Sequence, residues 1–140
     1  MHGLFVTGTD TGVGKTLVAC ALLRAIAGRG RRVVGMKPVA AGAELRDNVW
    51  RNEDVDALAA ASNVHVEHAA ANPYLLRLPV APHIAAHAEG IEIALATIER
   101  AFAALRVDTD LVVVEGVGGF RVPLAPGADT ADLAVRLELP

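Results

Sequence analysis

Apolar residues along the chain fall into short blocks separated by glycine, proline and charged clusters. Leu4-Phe5-Val6 is the first block and reads as a short buried strand. The stretch Thr7 to Thr16 interrupts it with glycines at 8, 12 and 14. Leu17 to Ala27 then reads as a strong helix former, ended by Gly28 and Gly30 with Arg24 and Arg29 near the last turn. Arg32 to Lys37 is the next predicted strand, stopped by Pro38. Strand, loop, helix and strand in that order make a βαβ-type unit and predict a parallel sheet.

Further on, Ala40 to Asn52 mixes glycine, polar and charged residues and reads as a loop, and Asp54 to Ala61 as a short helix. The proline-punctuated stretches 71–74 and 78–82 read as connections. Apolar residues at 91, 95, 98, 102 and 105 have helical spacing and predict a helix over Ile91 to Leu105. Asp110 to Glu115 reads as a buried strand, Gly116 to Gly119 as a flexible turn, and Ala131 to Leu139 as a final helix. The fold class expected is α/β, a parallel β-sheet flanked by helices. With three clear strands, and a chain ending at Leu139-Pro140 where another strand would be natural, the sheet reads as incomplete. Residues 1–140 are expected to form one α/β domain, the N-terminal portion of a longer fold.

Composition narrows the function classes. The chain has 140 residues, 53% of them hydrophobic, enough for a packed core. Net charge is -3 and no basic stripe appears, which argues against nucleic acid as partner. No apolar stretch approaches the ~20 residues of a membrane span, and the N-terminus lacks the cationic region of a signal peptide. The single cysteine, Cys20, excludes an internal disulfide and suits a reducing, cytoplasmic setting. It lies in an apolar helical run and reads as a small core residue.

The stretch from Gly8 to Thr16 carries the clearest chemistry. A glycine-rich turn between strand and helix points main-chain N–H groups into one concavity, and the helix adds its own unpaired N–H groups and dipole. Thr11, Gly12, Val13, Gly14, Lys15, Thr16 and Leu17 are therefore the candidate nucleotide-binding residues, with Lys15 reaching the terminal phosphates and the Thr16 hydroxyl a Mg²⁺ ion. The common pattern leaves four residues between its first glycine and Gly-Lys-Thr; here Gly8 lies one residue earlier and Thr9 takes that place. Glu115, at the carboxyl end of an apolar strand, is placed to hold the ion. Asp54 and Asp56 open a helix, and spacing alone leaves metal binding level with a purely electrostatic role at the helix start. Histidines 83 and 87 are four apart, but no glutamate follows His83 and no third ligand appears. They read, like His65 and His68, as structural or solvent-facing.

Several stretches together resemble the dethiobiotin synthetase family: Phe5 to Thr11 with Val13-Gly14-Lys15-Thr16; Lys37-Pro38-Val39-Ala40 with Gly42; Asn52-Glu53-Asp54; Asn72-Pro73-Tyr74; Pro82-His83-Ile84; and Val114 to Gly119 with Pro123. The resemblance implies a P-loop NTPase-like fold and an ATP-dependent ring-closing ligase of biotin biosynthesis. A 7,8-diaminononanoate amine would take up CO₂, the carbamate would be phosphorylated by ATP, and the second amine would close the cyclic urea. It also implies Mg²⁺ held by Thr16, Asp54 and Glu115, catalytic roles for Lys15 and Lys37, and substrate contacts from Thr11, Lys37, position 41 and Gly118. Family members pair as homodimers. Position 41 is Ala where the family often has Ser, and position 12 is Gly where some members carry an acid. Two other readings stay open. One is a partner-regulated ATPase, against which Asp10 stands where partition-type ATPases carry a second lysine. The other is an inactive shortened remnant.

Overall fold

The computed structural model describes residues 2–140. In chain order the elements are β1 (Gly3–Val6), α1 (Lys15–Ala27), β2 (Val33–Met36), β3 (Val39–Ala40), β4 (Glu44–Arg46), β5 (Val49–Arg51), α2 (Glu53–Ala61), α3 (His68–Ala71), β6 (Tyr74–Leu75), α4 (Pro82–Glu89), α5 (Leu95–Leu105), β7 (Leu111–Glu115), β8 (Pro123–Ala125), β9 (Ala128–Asp129) and α6 (Thr130–Arg136).

Three strands form a parallel sheet in the order β1-β7-β2, so the last long strand lies between the first two. Val6 pairs with Glu115 and Met36 with Val114, which aligns the carboxyl ends of all three strands. Side chains alternate across the sheet. Val33 and Val113 face α1 and α2, packing with Ala19, Leu23, Leu58 and Ala61. Val34, Met36, Val112 and Val114 face the other way, onto Ile98, Phe102 and Leu105 of α5 and Leu133 of α6. Both faces are thus covered, as a parallel sheet requires. Cys20 is half-buried against the α1–α2 side and is a packing residue. At the outer edge of β1 the Phe5 N–H donates to the Pro140 carbonyl at 2.8 Å.

Five sequence expectations change. The predicted loop 40–52 contains a hairpin, β4–β5, turning at Asp47 and Asn48 with φ of 51° and 62°. Asp and Asn tolerate this left-handed backbone, so they replace the usual glycine. The connection 71–74 carries the end of α3 and the start of β6, which pairs with β3. Pro82, read as a break, is the first residue of α4, where a missing N–H costs nothing. The helix expected from Ile91 starts instead at Leu95. Ile91 uses its N–H on Ala86 to close α4, and the Ala94 N–H donates to the Tyr74 hydroxyl at 3.0 Å. The last helix runs Thr130–Arg136, a little earlier than expected, because Asp129 caps it by accepting from the N–H groups of Ala131 and Asp132.

Gly35 sets how closely the helices approach the sheet. A β-carbon there would lie 2.9 Å from atoms of both Leu23 and Leu58. Gly35→Val is expected to lower stability by about 1–3 kcal/mol through overpacking, read as a lower urea midpoint. An unchanged midpoint would mean that α1 and α2 can separate without cost.

Candidate active site

The phosphate loop leaves β1 and turns into α1 through Gly12 and Gly14, at φ of 77° and 100°. Those angles suit only a residue without a β-carbon. The first intrahelical bond runs from the Val18 N–H to the Gly14 carbonyl. The N–H groups of Lys15, Thr16 and Leu17 therefore precede the helix ladder, and no side chain caps them. They form the donor set an anion would meet. The Lys15 ammonium, largely buried, donates to the Asp10 carbonyl at 2.6 Å, which folds the side chain back over the loop.

Beside this loop four side chains from four different places converge. The Lys37 ammonium, at the end of β2, lies 2.7 Å from Asp54 Oδ2 and 2.6 Å from Glu115 Oε1. The Thr16 hydroxyl lies 2.8 Å from Asp54 Oδ1 and 2.9 Å from Glu115 Oε1. It has one proton and serves one carboxylate at a time. Lys37 and Glu115 are almost wholly enclosed while Asp54 opens to solvent, with side-chain exposures of 4%, 0% and 41%. Burial pushes the Asp54 carboxyl up, but the Lys37 ammonium and the Thr16 hydroxyl, with Lys15 farther off, outweigh it and hold the group below the usual carboxylate range.

Glu115 Oε2 is buried and has no hydrogen-bond partner among the described residues. A carboxylate oxygen so placed is costly unless something satisfies it. The donors gathered here are two carboxylates and a hydroxyl, all oxygen, the chemistry of a hard divalent cation such as Mg²⁺. The residues therefore fit the ion that the sequence pointed to.

A cleft of ≈ 720 Å³ opens over this cluster. Thr11, Gly12, Gly14, Lys15, Thr16, Lys37, Ala41, Asp54, Glu115 and Gly118, all singled out from the sequence, line it. Val13 and Leu17 do not: their side chains are 52% and 76% exposed. The Leu17 N–H precedes the helix ladder and has no side-chain cap. Asp56 turns away to a two-point ion pair with Arg51, at 3.0 Å for each bond. His65, His68, His83 and His87 are exposed, and among the described residues no three of His, Cys, Asp and Glu gather at one point.

Three contributors had no site role in the sequence reading. Asn52 caps α2 by accepting from the N–H groups of Asp54 and Val55, and its amide donates to the Ala41 carbonyl. One side chain thus ties the carboxylate-bearing helix to the loop after Lys37. The segment Pro79 to Pro82, read as a connection, forms one wall of the cleft. Val117 and Val122 line the wall beside Gly118. The asparagine had a local signal, an N-cap residue just before an acidic first turn; Pro82 and Val117 lay inside stretches quoted for the resemblance, without a role of their own. A simpler signal was also present: Lys15 and Lys37 are the only lysines in the chain, the other basic residues being arginine.

A family pattern described as an AAA domain matches residues 2–140. The chain is 58% identical over 136 residues to a protein of Aromatoleum aromaticum named ATP-dependent dethiobiotin synthetase BioD, and 53% identical over 136 residues to the protein of the same name from Xanthomonas axonopodis pv. citri. Each match covers 97% of this chain, which spans 60% and 61% of those relatives' own lengths. With its pattern matched almost from end to end, the chain belongs to the AAA-domain P-loop family found in dethiobiotin synthetases.

Proposed function

We propose that this chain carries the phosphate-, metal- and diamine-binding site of an ATP-dependent dethiobiotin synthetase working on 7,8-diaminononanoate and CO₂. The observation that supports the reading most is the convergence of Thr16, Lys37, Asp54 and Glu115 within hydrogen-bond distance beside the phosphate loop. The names of the two relatives point the same way. The proposal includes Mg²⁺ as cofactor, and a homodimer acting in the cytoplasm.

In this reading one amine of the diamine bonds to CO₂ and loses a proton, giving a carbamate. A carbamate oxygen then bonds to the γ-phosphorus of ATP as the bond to the bridging oxygen breaks, and ADP leaves. The second amine attacks the carbonyl carbon, phosphate departs with its oxygen, and the released proton leaves a cyclic urea. The protein's part is positioning and charge neutralisation. Main-chain N–H groups from Gly12 to Leu17 grip the phosphates, and Lys15 follows the terminal ones. Lys37, enclosed and shielded from water, sets its charge against the carbamate and the transferred phosphoryl oxygens, where low dielectric strengthens it. Thr11, the main chain at Ala41 and Gly118 hold the diamine. Thr16, Asp54 and Glu115 would hold Mg²⁺, whose charge offsets that of the phosphate oxygens.

Two outcomes follow. MgADP at a hundredfold excess over Kd is expected to stabilise the folded chain by about 2.7 kcal/mol, seen as a raised Tm. Chelating the metal or making Thr16→Val should shrink that shift. A cooperatively melting chain that ignores MgADP would sink the nucleotide reading. In the second, diamine, CO₂ and MgATP together are expected to release phosphate, and Lys37→Ala to slow that release about 10²–10³-fold with little change in the MgADP shift. Release that does not depend on diamine would favour a partner-regulated ATPase instead.

A further inference from the structure

The motif Asn72-Pro73-Tyr74 is absorbed neither by the phosphate loop nor by the ion cluster, and Asn72 is one of the few polar side chains buried in the fold, at 7% exposure. Its amide nitrogen donates to the Lys37 carbonyl at 2.6 Å and to the Tyr74 carbonyl at 3.2 Å. The neighbouring Ala71 carbonyl accepts from the Lys37 N–H at 2.9 Å. Residues 71 and 72 therefore hold both main-chain polar groups of Lys37. The splint continues as the Tyr74 N–H donates to the Pro38 carbonyl and β6 pairs with β3.

This matters because of where Lys37 sits. Its residue is the first beyond β2, so the sheet ladder no longer holds it, and Pro38 offers no N–H to extend that ladder. Without residues 71 and 72 its main chain would be free to rotate, and the ammonium would swing with it. The contact also has a chemical polarity. Both partners of the Asn72 nitrogen are carbonyl oxygens, so only an N–H donor fits. An aspartate of the same shape would set a carboxylate oxygen against a carbonyl at hydrogen-bond distance.

We infer that Asn72 is a positioning residue for Lys37, fixing the ammonium between Asp54 and Glu115 by clamping the lysine's carbonyl. The inference rests on the proposed role of Lys37 for its catalytic consequence, and on geometry alone for the clamp. With Lys15 and Lys37 the only lysines in the chain, an amine-directed reagent and mass spectrometry read each one separately, with Lys15 as internal reference.

In folded Asn72→Asp and Asn72→Ala chains, labelling of Lys37 relative to Lys15 is expected to rise about tenfold, since a pinned, enclosed side chain reacts only through local opening. Tyr74→Phe, which removes the hydroxyl that accepts from Ala94, serves as the control for general loosening and is expected to leave the ratio unchanged. An unchanged ratio in folded Asn72 variants, or an equal rise in Tyr74→Phe, overturns the assignment. Should the Asn72 variants fail to fold, hydrogen exchange of the Asn72 side-chain amide in the unsubstituted chain decides: exchange as slow as core amides supports the clamp, and exchange at the rate of an exposed asparagine overturns it. In the diamine-dependent assay, kcat is expected to fall about tenfold or more while KM for ATP stays within about twofold, because Asn72 does not touch the phosphate loop. An unsubstituted chain that releases no phosphate counts against the proposed function, whereas the labelling ratio still judges the clamp.

Discussion

A buried lysine ammonium held between two carboxylates is the constraint on which the site depends. Lys37, Glu115 and the inner part of Asp54 lie where water is largely excluded. Charges taken out of water are costly unless each finds a partner at close range. Lys37 meets both acids within 2.7 Å, and the Thr16 hydroxyl sits on their other side. Removing Lys37 would leave both carboxylates, one of them fully buried, without the ammonium that pairs them. The cluster therefore holds together the ends of β2, α2, β7 and α1, as well as presenting the groups that chemistry would use.

The sheet makes that cluster possible. Parallel pairing brings the carboxyl ends of β1, β7 and β2 level, so the phosphate loop, Glu115 and Lys37 leave the sheet along one edge. Alternation of side chains then assigns a face. Glu115 and Lys37 continue the rows of Val113 and Gly35, on the side covered by α1 and α2. These are the helices that carry Thr16 and Asp54. The missing side chain at Gly35 lets Leu23 and Leu58 press against the sheet, and that close approach brings the two helices within hydrogen-bond reach of Glu115 and Lys37.

Much of the fold was legible from the chain. The blocks around Leu4, Val33 and Val112 were read as strands, and α1, α2, α5 and α6 were found with shifted ends. What escaped was structure made from residues that usually end elements. Pro82 starts a helix because its lost N–H is one that no helix start uses. Asp47-Asn48 turns a hairpin because both tolerate left-handed backbone. Ile91 has helical spacing to Leu95, yet its N–H belongs to the end of the preceding helix. At Ile91 the local pattern lost to a hydrogen bond that only the neighbouring segment could supply.

By itself the sequence determined the phosphate loop, since a glycine-rich turn between a strand and a helix fixes the direction of its own N–H groups whatever packs around it. It also placed Glu115 at a strand end and Lys37 before a proline. Only the tertiary structure decided that Asp54, 38 residues from Thr16 along the chain, shares that hydroxyl with Glu115, 99 residues away. It likewise decided that Asn72, 35 residues from Lys37, holds the lysine's carbonyl. Such contacts depend on strand order and on which face of the sheet each helix covers. Those are properties of the whole packing and leave no mark at any single position.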